Sequence, residues 1–375
     1  MKKRKITLYY DGSIYTYKWL KGLMSIKKEL ADLGYIVEWS SVLDYMPLQN
    51  ILGSEKTEKL ALKRAMSKRG DIVMLAFHTT CTHLGRCSEQ ERMQILKKIK
   101  AKCNTLIWLD TSDSTGTCRF DVLPVVDLYF KKQWLKDINL YQKEFYGGRF
   151  FCEYYHTLLG IEDEKIVDDK FPALDLKYAH KLRTSWNVAL ADLYAQARCF
   201  YLHPFSLKIP KFIDPLSDEK SLDLQYRGSS FSPLAGYQRQ ESKRRVMNIN
   251  YITHSDCMKQ IPKNEYTAEG IKAKAILSPF GWGEICGRDF EAITYGATMI
   301  KHSMEHLITY PDLYKPNETY VPLKWDFSDF DDVMKKIKSE EYKTIALNAQ
   351  KAYKFYYSKE GKIDFANHIV HELQR

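Results

Sequence analysis

Lys274-Ala-Ile-Leu-Ser-Pro-Phe-Gly-Trp-Gly-Glu-Ile-Cys-Gly-Arg-Asp-Phe-Glu-Ala-Ile-Thr-Tyr-Gly-Ala-Thr-Met-Ile-Lys301 is the stretch whose reading decides the fold. The apolar run 274–277 predicts a strand. A turn carrying Gly281, Gly283 and Gly287 leads into a helix over 288–295, which stops at Gly296 before a strand over 298–301. Strand, helix and strand at this spacing make a βαβ unit, whose parallel strands need a right-handed crossover. Outward from this unit the alternation continues, with strands over 222–226 and 250–253, a helix over 238–247, and closing helices over 329–337 and 344–357.

The first half repeats the pattern. Strands are expected over 5–10, 35–39, 71–76, 105–109 and 126–130, with amphipathic helices between them. Trp19, Leu20, Leu23, Ile26, Leu30 and Leu33 mark one helical face, and Ser88 with Glu91 forms the start of another. A helix over 182–201 ends at His203-Pro204, and a connector passes Pro210 and Pro215. The fold class is therefore α/β, with two Rossmann-like halves. The expected division is 1–205, 206–345, and C-terminal helices over 346–375 that pack back on the first half.

A length of 375 residues suits two domains at roughly 150 residues each. With 45% hydrophobic and 28% charged residues, the composition excludes a disordered or fibrous chain. The net charge of +10 favours anionic partners: nucleotide phosphates, nucleic acid or an acidic membrane surface. The start Met1-Lys2-Lys3-Arg4-Lys5 resembles the basic region of a signal peptide, but its apolar stretch stops at Asp11, so a cytoplasmic protein is expected. Eight cysteines without a regular framework read as reduced thiols.

Glycines in the 281–287 turn let backbone approach a ligand, and the following helix N-terminus offers free N–H groups to an anion. Arg288 adds a bidentate phosphate donor, and Glu291 can accept both hydroxyls of a ribose. Tight strand–turn–helix packing accounts for the same glycines equally well.

These residues carry a resemblance. Ser278 to Glu284, Arg288 to Ala292, Gly296 and Ile300-Lys301 are similar to the donor-binding signature of GT-B glycosyltransferases of the group-1-like and exostosin-like kind. Thr309 to Tyr314, Glu318 to Pro322 and Trp325 to Asp329 resemble the continuation of that region in bacterial surface-polysaccharide enzymes. The resemblance implies two Rossmann-like domains facing across a cleft, with the nucleotide-sugar on the C-terminal one, the acceptor on the N-terminal one, and no metal or other cofactor. By position it assigns Glu291 to the ribose, and Gly281, Gly283, Glu284 and Arg288 to the phosphates or donor sugar. Arg227 and Gly228 would form a phosphate-facing loop. The interval from Glu284 to Glu291 is one residue shorter than in retaining members, which leaves retention or inversion open.

On the N-terminal side, Asp110 and Asp113 follow the strand over 105–109 and are placed to face the cleft, as base or nucleophile. The alternative is an Asx-turn or helix cap. His78, Cys81, His83 and Cys87 share one loop; acid–base work by His78 is favoured over a metal site, because the spacing matches no standard zinc motif. Asp11-Gly12 is a further acceptor-side candidate, whereas Glu153-Tyr-Tyr-His156 reads as packing. The leading reading is glycosyl transfer from a nucleotide-sugar to a glycan or lipid-linked acceptor in cell-surface polysaccharide assembly. Basic clusters would allow peripheral contact with an anionic membrane. A nucleotide-sugar epimerase or hydrolase on the same plan is the nearest alternative. A nucleic-acid-binding protein is a more distant one, since no basic stripe interleaves with aromatics.

Overall fold

The computed structural model describes residues 3–41, 44, 52–194, 207–229 and 231–375. Lys2, the C-terminal part of the expected 182–201 helix, His203-Pro204 and the 205 boundary lie outside the described residues.

Six parallel strands form the first sheet: β1 (Arg4–Tyr10), β2 (Tyr35–Trp39), β3 (Gly70–Ala76), β4 (Cys103–Asp110), β5 (Leu128–Lys131) and, beyond the short β6 (Gln133–Leu135), β7 (Leu182–Thr184). Their order is β2-β1-β3-β4-β5-β7. Ile72 to Ala76 are all buried, because helices cover both faces of a central parallel strand. The second sheet contains β8 (Leu222–Gln225), β9 (Ala273–Leu277), β10 (Thr298–His302) and, after the short β11 (Leu307–Thr309), β12 (Val321–Leu323). It is again wholly parallel, in the order β12-β10-β9-β8. The molecule is thus two Rossmann-like domains, and they face each other through the loops at the carboxyl ends of β4 and β9.

Two sequence expectations fail for physical reasons. Residues 182–184 are not helical: they pair with β5 as an edge strand, Tyr129 opposite Leu182, and a 3₁₀ turn Val188–Leu190 follows. Asn187 sets this course by donating to Thr309 Oγ1 at 3.0 Å and Pro311 O at 2.8 Å. The strand expected over 250–253 shrinks to a single bridge between Leu224 and His254. Asp223 captures Thr253 instead, accepting from its backbone N at 2.9 Å and its Oγ1 at 3.0 Å. Side-chain bonds of this kind compete with a ladder.

β6 and β11 come from different halves of the chain and pair antiparallel, Trp134 opposite Ile308. This ribbon ties the domains together, and Thr309 Oγ1 adds a bond to Lys132 O at 2.8 Å. The last helix, Lys359–Gln374, lies on the first domain: Phe365, Ala366 and Ile369 join its core, and Glu372 accepts from Thr184 N at 3.1 Å. Among the described residues no helix is long and apolar enough to cross a membrane.

Behind the glycine turn, His302 and His306 sit among Phe280, Trp325, Phe327 and Phe150. Neither His302 nitrogen has a hydrogen-bond partner. Burial, with Lys301 adjoining, holds the His302 ring well below the usual histidine range, and burial pushes His306 down to about 3. Folded, both rings stay neutral; unfolded, they protonate below about 6.5. The unfolded chain then binds more protons, so stability falls as pH drops through 6.5. Denaturant melts at pH 7 and pH 5 should differ by about 2 kcal/mol per ring, and His302→Leu should shrink that difference. An unchanged pH difference in the variant would contradict the assignment.

Candidate functional site

The chain leaves β8 through Tyr226-Arg227-Gly228-Ser229 and returns as the helix Tyr237–Met247. Helical periodicity places Arg239, Gln240, Lys243, Arg244 and Met247 along one side of that helix. Cys257 to Ile261 and the start of the helix Lys263–Lys272 form the opposite wall of a groove of about 980 Å³. Arg227, Arg239, Lys243, Arg244, Lys259 and Lys263 line it, and none of the described residues lining it is a carboxylate. It opens at the carboxyl end of an edge strand in a parallel sheet, where ligands of open α/β folds bind.

The floor of the groove is fixed by internal bonds. Arg227 holds Glu269 through Nη2 at 2.5 Å and Nε at 2.8 Å, and donates Nη1 to Asp256 O and Lys259 O at 2.8 and 2.6 Å. Its guanidinium is therefore committed to the wall. Gly228 serves the same packing, since a Cβ there would stand 2.1 Å from Tyr226 Oη. Gly281 makes room for Arg239, whose Nη2 would lie 2.8 Å from an added Cβ.

Arg239 and Arg288 differ from Arg227 in having no carboxylate in ion-pair range among the described residues. Arg239 donates Nε to Phe280 O at 2.8 Å and lies over the Phe231 ring, and burial pulls its pKa down. Arg288 donates Nη2 to Arg227 O at 3.0 Å, while its buried Nη1 has no partner. Burial opposes the Arg288 charge, but Tyr266, Tyr226 and Cys286 outweigh it and hold the pKa up. One helical turn on, Glu291 faces the same corner: Oε2 accepts from Tyr266 Oη at 2.9 Å, and Oε1 from Lys263, a side chain that is 70% exposed.

The helix Gly287–Thr294 is anchored by Asp289, which the sequence reading passed over. Its Oδ2 accepts from Cys286 N at 3.0 Å and Tyr314 Oη at 2.8 Å; its Oδ1 accepts from Ser278 Oγ at 2.6 Å and Lys301 Nζ at 3.0 Å. Both members of the Asp289–Lys301 pair are fully buried. Ser278 and Lys301 end adjacent strands, so this knot orients Arg288 and Glu291. An acidic residue at the third helical position was the available signal. Arg239, Lys263 and Tyr266 were also missed, because basic helix residues read by default as a solvated face.

Glu284 and Gly283 belong to the domain junction. A Cβ on Gly283 would fall 2.0 Å from Asp113 O, so only glycine permits that approach. Glu284 is fully buried and accepts from Thr115 Oγ1 at 2.5 Å, Thr115 N at 3.0 Å, and Ser114 Oγ and Gln133 Nε2 at 3.3 Å. All four donors come from the other domain.

Asp110, expected to face the cleft, is sealed at 0% exposure. It pairs with Lys131 at 3.1 Å and also accepts from Tyr129, Ser112 and Thr79. It shapes the 110–117 loop from beneath, the cap-like role weighed for it above. Asp11 is likewise buried, accepting from Ser13 N, Thr16 Oγ1 and His78 N at 2.9 to 3.1 Å. Asp113 stays accessible, with its side chain 51% exposed and paired to Lys132 at 3.0 Å. Lys132 and His78 hold its carboxyl below the usual carboxylate range. Burial lowers His78, yet Cys81 and Asp113 raise it beyond its usual value. Asp113, His78 and Lys132 thus gather beside the loop that carries Gly283, while Asp110 lies underneath.

No protein-family model matches this sequence, and no curated protein matches it at a significant level. Among solved structures the chain is similar to an alpha-glucosyltransferase in complex with UDP, at 12% identity and a TM-score of 0.48, covering 99% of this chain and 100% of that one. It is similar to a sucrose-phosphate synthase from Thermosynechococcus elongatus at 13% identity and a TM-score of 0.43, covering 99% of each chain. Anabaena HepE in complex with UDP-glucose matches at 9% identity and a TM-score of 0.43, again over 99% of both chains. What those proteins bind does not pass to this chain at such similarity.

Replacing Glu284 by Ala leaves the buried Thr115 and Gln133 donors unpaired and should cost about 2–4 kcal/mol of stability. Chemical denaturation checks the loss.

Proposed function

We propose that the groove binds a nucleoside diphosphate sugar and that the enzyme transfers the sugar to an acceptor held by the N-terminal domain. The observation that carries this reading is the corner formed by Arg239, Arg288 and Glu291. Two guanidinium groups without ion-pair partners among the described residues, one with an unpartnered buried Nη1, share this corner with a carboxylate whose outer partner is an exposed lysine. A diphosphate supplies the missing negative charge in bidentate form. Glu291 exchanges Lys263 for the ribose hydroxyls while Tyr266 holds its second oxygen. Lys243, Lys259 and Arg244 raise the local anion concentration along the groove.

In this reading the leaving phosphate departs against Arg239 and Arg288, whose donors are already in place before the charge develops. The anomeric carbon points toward Asp113 across Gly283. The ionised Asp113 carboxylate takes the proton of the attacking acceptor hydroxyl, assisted by its neighbour His78, or attacks as nucleophile in a double displacement. Asp110 supports the loop. The acceptor class, a glycan or lipid-linked glycan of a surface polysaccharide, rests on the resemblance of residues 278–329. Contact with an anionic membrane rests on the basic clusters alone.

A thermal-shift panel of UDP, GDP, CMP and ADP should show one strong responder, worth about 2.7 kcal/mol at a hundred times its dissociation constant. Glu291→Ala should abolish that response without unfolding the protein; an equal shift in the variant rules out the ribose contact.

Asp113→Asn should keep the nucleotide response but lower sugar transfer by about 10²–10⁴-fold. Transfer at the wild-type rate would remove Asp113 from the chemistry. Incubation with the sugar nucleotide alone separates the epimerase alternative, which converts donor to epimer with no acceptor present.

A further inference from the structure

The loop 78–88 divides its four metal-type side chains in a way that spacing did not suggest. His78 lies beside both Cys81 and Asp113. His83 and Cys87 instead meet Glu91 of the next helix, Glu89–Lys100. One ligand atom from each of His83, Cys87 and Glu91 lies within 4.8 Å of the others. His83 Nε2 and Glu91 Oε1 are already 2.8 Å apart.

We propose that His83, Cys87 and Glu91 form a binding site for a divalent zinc-type cation, outside the transfer site and independent of the function argued above. Several features support it. His83 opens one short helix, Cys87 ends it in extended backbone, and Glu91 lies in the first turn of the next, so the break between the two helices brings the three side chains together. The backbone that carries them is fixed: Glu58 accepts from His83 N and Leu84 N at 2.9 and 2.8 Å. Thr82 caps the short helix His83–Arg86, and Ser88 caps the next by accepting from Glu91 N at 3.2 Å. Arg92 is held at Cys87 O and Asp121, and its Nη1 reaches Cys87 Sγ at 4.0 Å.

Closing the triangle around a tetrahedral ion, with ligand bonds of roughly 2.0–2.3 Å, takes side-chain rotation only. Imidazole, thiolate and carboxylate together select a borderline ion such as Zn²⁺ over Mg²⁺ or Ca²⁺. On loading, the Cys87 thiol proton leaves to solvent, and His83 binds the ion through Nε2 with its ring proton on Nδ1. The solvent side stays open for a water as fourth ligand. The site clips the loop that carries His78 to the following helix, so its effect on the enzyme is to order that loop.

The test is titration of the full chain, stripped with chelator, with Co²⁺ and Zn²⁺. One Co²⁺ per chain should bind and give a sulfur-to-metal charge-transfer band, which excess Zn²⁺ abolishes. Cys87→Ser should remove the band, and Glu91→Gln, at an exposed position, should weaken Co²⁺ by more than about 100-fold. Cys81→Ser should leave the titration unchanged. Zn²⁺ should raise the melting temperature of the wild type and not of Cys87→Ser. No band, or a band that survives Cys87→Ser and disappears in Cys81→Ser, overturns the proposal.

Discussion

A single buried carboxylate sets the relation between the two halves of this protein. Glu284 leaves the glycine turn of the C-terminal domain and ends among Thr115, Ser114 and Gln133 of the other, at zero exposure. A charge in such a place is costly unless its lone pairs are taken, and here they are taken by donors that only the docked arrangement supplies. The turn therefore has one position relative to Asp113, and Gly283 closes the remaining distance. The β6–β11 ribbon holds the same junction from the side. The glycine turn and the Asp113 carboxylate are prealigned by the fold.

Within the C-terminal domain the charges are distributed by function. Asp289 with Lys301 and Arg227 with Glu269 are matched pairs, and each secures backbone: the first the helix start, the second the groove wall. Arg239 and Arg288 are left unmatched beside them, where burial opposes their charge. A protein keeps unpaired guanidinium groups in a partly buried corner at a cost in stability, and an anionic ligand offsets that cost on binding. The matched pairs hold backbone, and the unmatched ones are the groups to which the proposed function assigns the ligand.

Sequence showed the alternation of strands and helices, because apolar runs such as 72–76 and 274–277 belong to parallel strands covered on both faces. It also showed the glycine turn with Arg288 and Glu291. It failed where a long-range partner decides. Leu182 to Thr184 became a strand because β5 offered a free edge, and Asp223 took the Thr253 N–H while the Thr253 carbonyl still accepts from Leu224 N. The β6–β11 ribbon joins strands of three residues each, too short for any periodicity to register. Glu284 and Asp110 have the composition of functional groups, and nothing local distinguishes a carboxylate facing a cleft from one sealed beneath it. Arg239 sits in a helix whose other cations are solvated, so its burial against Phe280 and Phe231 was invisible from spacing.

The same distinction explains why the two loops at the junction are built so differently. In the 110–117 loop, Asp110 binds Lys131, Ser112, Tyr129 and Thr79 from below, which leaves Asp113 as the accessible carboxylate above. In the 278–291 loop, Asp289 does the corresponding work and leaves Glu291 accessible. Each loop thus spends one buried acid on its own geometry and presents a second to the solvent side. Flexible loops would have to be ordered by substrate, at roughly 1–2 kcal/mol per residue fixed. Loops held by satisfied buried acids have met that cost during folding, so binding free energy remains for placing the reacting atoms.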